Sequence, residues 1–137
     1  MLSANAEHPQ SVYARALFDV VILKAQTILK IRSAYAQKDL SALREVSQKD
    51  IPELIGLYEK LQAIHRKQWL ASYKRNGWEQ FPLRYGAVIG RAKDVALALL
   101  EYADGKIDRI DELEAPMLDP TRKGGMQYYE VYVSPKL

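Results

Sequence analysis

Over residues 11–37 no proline or glycine interrupts the chain, and Leu17, Val20, Val21, Ile28, Ile31 and Tyr35 recur at three- and four-residue steps. Phe18, Ile22, Ala25 and Leu29 form a second apolar stripe in the same stretch. The spacing predicts a long helix that is apolar around most of its circumference. Such a helix is expected at the centre of its bundle, buried on several sides. Lys24 stands in its most apolar part, and a buried lysine needs a carboxylate or several carbonyls at its ammonium. Glu79 and Glu112 are the first candidates to meet it.

Asp39 or Ser41 is suited to cap a short helix over residues 40–47. Asp50, with Pro52 and Glu53 behind it, has the spacing of a fresh helix start. This third helix carries Leu54, Leu57, Leu61, Ile64 and Trp69 to about Tyr73, and Asn76-Gly77 breaks it. Phe81-Pro82 opens a fourth helix over residues 83–103. One of its faces, Arg84, Val88, Arg91, Val95, Ala98 and Tyr102, mixes arginine with apolar residues. Gly86 and Gly90 lie one turn apart, which suits the close approach of another helix at ~1 kcal/mol of helix propensity each. Asp104-Gly105 ends the helix, glycine fitting the left-handed position beyond it.

Residues 108–113 read as one more short helix, stopped before Pro116. Beyond Gly124-Gly125, residues 127–133 (Tyr-rich and β-branched) read as extended. The fold class is therefore all-α: a helical bundle of about four main helices, with short helices and an irregular or β-like C-terminal tail. Residues 1–10 are expected to be a flexible N-terminus, 11–118 the helical domain, and 119–137 a loop and extended tail.

A chain of 137 residues makes one domain. It is too short for a (β/α)₈ barrel, which needs ~250 residues. The 20 basic and 17 acidic residues are interspersed and leave a net charge of only +3. The densest basic patch, His65, Arg66, Lys67, Lys74 and Arg75, lacks a recognition motif, so no nucleic-acid partner is expected. The N-terminus has no secretory pattern, and the longest apolar stretch, residues 16–23, is broken by Asp19. No membrane partner and a cytoplasmic location are expected.

The chemistry-bearing residues are few. Without cysteine, thiol catalysis and zinc–thiolate sites are excluded. His8 and His65 are the two histidines, and neither has a second ligand at helical spacing, so no metal is expected. Neither a nucleophile elbow nor a phosphate loop occurs, and no cofactor is expected. Asp111-Glu112 is the one adjacent Asp-Glu pair, and it reads as the solvated end of a short helix. More informative is the stretch 69–86, with Trp69, Lys74, Trp78, Glu79 and Arg84 across a helix junction. It reads either as a rim that binds a sugar or a partner, or as a corner in which Glu79, Arg84 and Arg91 pair while Trp78 plugs the junction. Residue chemistry alone favours the second.

The same stretch resembles a known family. Leu17-Phe18-Asp19 through Ala25, Arg32 to Tyr35, Ile51-Pro52, Gln68-Trp69, Lys74, Gly77-Trp78-Glu79, Arg84, Gly86 and Arg91 are similar to the C-terminal helical domain of bacterial glycoside hydrolase family-20 enzymes, the β-N-acetylhexosaminidases and exo-β-glucosaminidases. Tyr102, Gly105, Ile107, Ile110 and Glu112-Leu113 continue the likeness. Phe81, Pro82 and Ala87 depart from it. The resemblance implies that catalysis belongs to an upstream barrel, where an Asp-Glu pair assists attack by the substrate's acetamido group; Asp111-Glu112 does not match that pair. It implies a non-catalytic domain with no catalytic residue of its own. The barrel is its expected partner and a second copy another. Trp69, Lys74, Trp78, Glu79 and Arg84 are then rim candidates, and Lys24, Arg91 and Glu112 a structural polar network. A stand-alone dimerisation or protein-binding module is the alternative.

Overall fold

The computed structural model describes residues 8–115. Five α-helices follow one another: α1 (Pro9–Ala36), α2 (Leu40–Glu45), α3 (Ile51–Ser72), α4 (Gln80–Ala103) and α5 (Asp111–Glu114). The fold is all-α. The residues expected to form the extended tail, 119–137, lie outside the described residues, as do 1–7.

Local chemistry sets most boundaries. Pro9 opens α1, where its missing N–H costs nothing. At the other end Asp39 N–H reaches back to the Ala34 carbonyl at 2.8 Å, which places Lys38 at φ 54°. A lysine in that left-handed position is strained, and no glycine marks this terminus. Asp39 then caps α2, its carboxylate accepting the Ala42 N–H at 2.9 Å. Gly77 (φ 96°) and Gly105 (φ 71°) supply the left-handed residues after α3 and α4. Past α4, Lys106 N–H bonds to the Glu101 carbonyl and Gly105 N–H to that of Tyr102. This pairing satisfies the last carbonyls of the helix.

The expected break at Asp50 does not occur. The helical path runs from Leu40 to Ser72 through one π-helical turn, Val46–Asp50. Pro52 has no N–H to give and its ring crowds the carbonyl four residues back. The chain widens by one residue there rather than stopping, and Ile51 N–H reaches the Val46 carbonyl. Asp50 is helical and makes no cap. Its buried carboxylate instead accepts Lys30 Nζ at 2.7 Å, tying α1 to the π turn. That bond, opposed by partial desolvation, holds the Lys30 ammonium above its usual pKa.

Two apolar clusters hold the helices together. At one end Ile31 and Ala34 of α1 meet Leu43, Val46, Ile51, Ala92 and Leu99. At the other, Ala16 and Val20 pack on Leu54 and Leu61, with Tyr13, Tyr58 and Tyr85 around them. Polar ties bind the first cluster: Ser47 Oγ donates to the Ala96 carbonyl at 2.7 Å, and Arg44 donates to the Ala103 carbonyl and to Asp104 at the end of α4. A cation there also suits the negative end of the helix dipole.

Two expectations are corrected here. Among the described residues the first helix is not central: Phe18 is 63% exposed, Ile22 54% and Leu29 68%. Among these residues only one side of α1 is covered, because α2 and α3 share that side. Nor does a helix among the described residues pack on Gly86 and Gly90, since a Cβ at either would meet nothing within 4 Å. They lie on the outward side of α4 with exposed Leu83 and Leu97.

Candidate docking surface

Three features compete as a functional site: the aromatic corner after α3, the polar groove between α1 and α4, and the bare side of α1.

The corner is built around His65. Its ring lies 4.6 Å from that of Phe81, 5.1 Å from Tyr13 and 5.2 Å from Trp78, centroid to centroid. Its Nδ1 sits 3.1 Å from the Tyr85 hydroxyl. The Trp69 ring lies tilted against Tyr73 at 4.8 Å, and its Nε1 donates to the Lys74 carbonyl at 3.0 Å. Trp78 is buried. Tertiary folding gathers these rings from α1, α3, the junction and α4 on one histidine, a convergence that no local pattern around His65 signals.

The rim candidates are therefore only partly together. Trp69 and Trp78 face each other inside the corner, whereas the Lys74 side chain is exposed. Glu79 folds back to accept the Gly77 N–H at 2.8 Å. Arg84 points into solvent with no acidic or carbonyl partner among the described residues. The expected mutual pairing of Glu79, Arg84 and Arg91 is thus not formed, because Glu79 is spent on its own turn. Most rings in the corner are occupied by other rings; only Tyr73 is largely exposed.

Burial among those rings pulls the His65 pKa below its usual 6.5. The unfolded chain then binds a proton that the folded chain resists. Stability from this site is full above about pH 6.5 and is lost as pH falls toward the lowered folded value. Melting at pH 5.5 is expected below that at pH 7.5, and His65→Phe should flatten the difference; an unchanged slope in the variant would contradict this. At the alkaline side Tyr85, pushed up to about 12 by burial, favours the folded state below pH 10 and loses that contribution above it.

The groove lies between α1 and α4. Ile28 and Ile31 form one side, Val95, Ala98 and Leu99 the other, and Ile110 and Leu113 close one end. Tyr35 fastens that end, donating to Glu114 at 2.6 Å and accepting the Ile110 N–H at 3.1 Å. Burial, followed by the Glu114 bond, raises the Tyr35 pKa. Arg91 reaches Asp94 at 2.8 Å and Glu112 at 2.9 Å, and its donation holds the Glu112 carboxyl below the usual range. Its Nε is buried with no acceptor among the described residues.

Lys24 does not join this network. It is half-buried and has no carboxylate among the described residues, since Glu79 caps a turn and Glu112 serves Arg91. Asp111 meets exposed Arg109 at 2.8 Å. Both members of the Asp-Glu pair are more than half exposed, so neither has the desolvated pocket that acid–base work needs. No group of three metal-ligating side chains occurs among the described residues.

The bare side of α1 is a continuous apolar strip among the described residues. Phe18, Val21, Ile22, Ala25 and Leu29 are exposed at three- and four-residue steps with no charged residue in the stripe. Monomeric proteins seldom leave such a continuous strip in water unless something covers it. Among the described residues nothing does.

The described residues thus form an all-α module with one apolar side of α1 left exposed. Residues 4–131 match the Glycoside Hydrolase 20C C-terminal domain, and the chain belongs to that family. Domains of this family are parts of larger glycoside hydrolases. Among curated proteins none matches the chain.

Proposed function

We propose that this chain is the non-catalytic C-terminal helical domain of a cytoplasmic glycoside hydrolase acting on terminal β-linked N-acetylhexosamine residues. Its work is mechanical: the uncovered stripe of α1 packs on the catalytic barrel and supports it, its subunit contacts or its substrate cleft. One observation carries the reading, the bare apolar side of α1 in a domain whose family sits at the end of a larger enzyme. Phe18, Ile22 and Leu29 are 63%, 54% and 68% exposed, so covering what remains in water is worth roughly 1–2 kcal/mol apiece. No helix among the described residues is long and apolar enough to cross a membrane.

The isolated chain is expected to give no turnover of a chromogenic N-acetylglucosaminide. Saturable hydrolysis that disappears on unfolding would end the non-catalytic half of the proposal. A second reading, a dimerisation module, is favoured by the outward face of α4. There Leu83 and Leu97 flank Gly86, Ala87 and Gly90, all exposed, a surface suited to close helix pairing. The mass of the chain in solution separates the two readings.

A further inference from the structure

We propose that the groove between α1 and α4 is filled by the chain's own next segment, the apolar run Pro116-Met117-Leu118. The groove is then a seam of the domain and not a site for a foreign partner.

The lining narrows what fits. Its walls are apolar, with Ile28 facing Val95 and Ala98. Its charges balance, Arg32 and Arg91 standing against Asp94 and Glu112. Such a lining suits an occupant without net charge. One polar atom is left over, the buried Nε of Arg91, which has no acceptor among the described residues. A buried donor is costly until an acceptor meets it. The walls are ill suited to provide one, because helices spend their carbonyls on their own hydrogen bonds.

The chain itself arrives at this place. Leu113 closes one end of the groove and Glu112 holds Arg91 there at 2.9 Å. The described residues stop at Ala115, two positions beyond Leu113. Ala115 is extended, at φ −64° and ψ 136°, the conformation a following proline favours. Pro116 bars α5 from continuing, so the carbonyls of this run are free to accept the Arg91 Nε–H. Lacking an N–H, it also brings no donor that the walls would have to satisfy. Ala115, Pro116, Met117 and Leu118 are uncharged and apolar in a row, bounded by Glu114 and Asp119. From Leu113 to Leu118 an extended chain covers up to roughly 17 Å. That exceeds the roughly 10 Å between Arg91 and Ala98 along α4, so the run reaches any point of the groove. The family match continues to residue 131, and the domain therefore does not end where α5 does.

The chain has no cysteine, so introduced thiols report proximity without background. Two variants of the full chain are treated with a short bismaleimide, and the joined peptides are identified by mass spectrometry. Ala98→Cys with Leu118→Cys places one thiol in the groove and one on the run. Ile22→Cys with Leu118→Cys places the first thiol on the bare side of α1 instead. The groove pair is expected to join within one chain, and the α1 pair to stay unjoined. A further variant leaves the groove untouched: Met117→Asp with Leu118→Asp should lower the melting temperature by about 5 °C or more, since it sets two carboxylates against an apolar wall.

A groove pair that stays unjoined, a link between two chains, or an α1 pair that joins as fast would overturn the proposal. So would a melting temperature unmoved by the two aspartates, a result that needs no cysteine variant to fold. The proposal stands apart from the function proposed above. Hydrolysis by the isolated chain would end that reading and leave these links and melting shifts as they are.

Discussion

Leu99→Ala is expected to produce the largest loss of stability of any single truncation on α4, about 3 kcal/mol. Leu99 is fully buried and sits in the cluster that joins α1, α2, the π turn and α4. Its neighbours come from four separate elements, so the space left by its side chain cannot close by the shift of one helix. A cavity that cannot collapse costs more than the lost transfer energy alone. For a domain of this size the loss corresponds to a drop of roughly 10 °C in melting temperature. Thermal unfolding followed by circular dichroism measures it. A drop below about 2 °C would mean that this end of the bundle is not packed as described.

Trp78→Ala is expected to cost almost as much, ~3 kcal/mol, for a different reason. The indole is 8% exposed and lies 5.4 Å from the Phe81 ring and 5.2 Å from His65. It fills the bend where α3 gives way to α4, so its removal loosens the junction and wets His65. The same substitution separates the two readings of this stretch. A plug lost from the junction lowers the melting temperature; a stacking platform for a sugar leaves it nearly unchanged and lowers affinity instead. An unaltered melting curve would restore the platform reading.

What the sequence revealed depended on range. The caps at Asp39 and the glycines at 77 and 105 act on groups within a few residues, and their spacing alone locates them. Asp50 misleads because its signature, with Pro52 and Glu53 behind it, is the same as that of a helix start. What decides its role is Lys30, twenty residues earlier, and the width of a proline ring. The two apolar stripes of α1 show that both sides suit a dry environment. They do not distinguish a side covered by its own neighbours from one left for something else, and so α1 reads as central when, among the described residues, only one of its sides is covered. Gly86 and Gly90 mislead in the same way, since a small residue is equally at home beneath a neighbour and on an open face.

The polar residues follow a similar division. That Arg91 needs acidic company is legible from its position among apolar residues, and Asp94 and Glu112 provide it. Lys24 and Arg84 look alike in sequence and meet no such group among the described residues. His65 shows nothing unusual along the chain, yet five rings converge on it from three elements and the junction. Convergence of that kind depends on the crossing of α1, α3 and α4, and no spacing within any one of them encodes it.

The central claim is that the bare side of α1 is made to be covered by the catalytic part of the enzyme. Phe18→Asp with Ile22→Asp, placed both in the isolated chain and in the intact glycosidase, tests it most directly. Thermal melting should leave the isolated chain within about 2 °C of its parent, because both side chains are already exposed there. In the intact enzyme the same pair should lower the melting temperature by several degrees, since it buries two carboxylates in an apolar contact. An intact enzyme indifferent to the substitutions would contradict the claim.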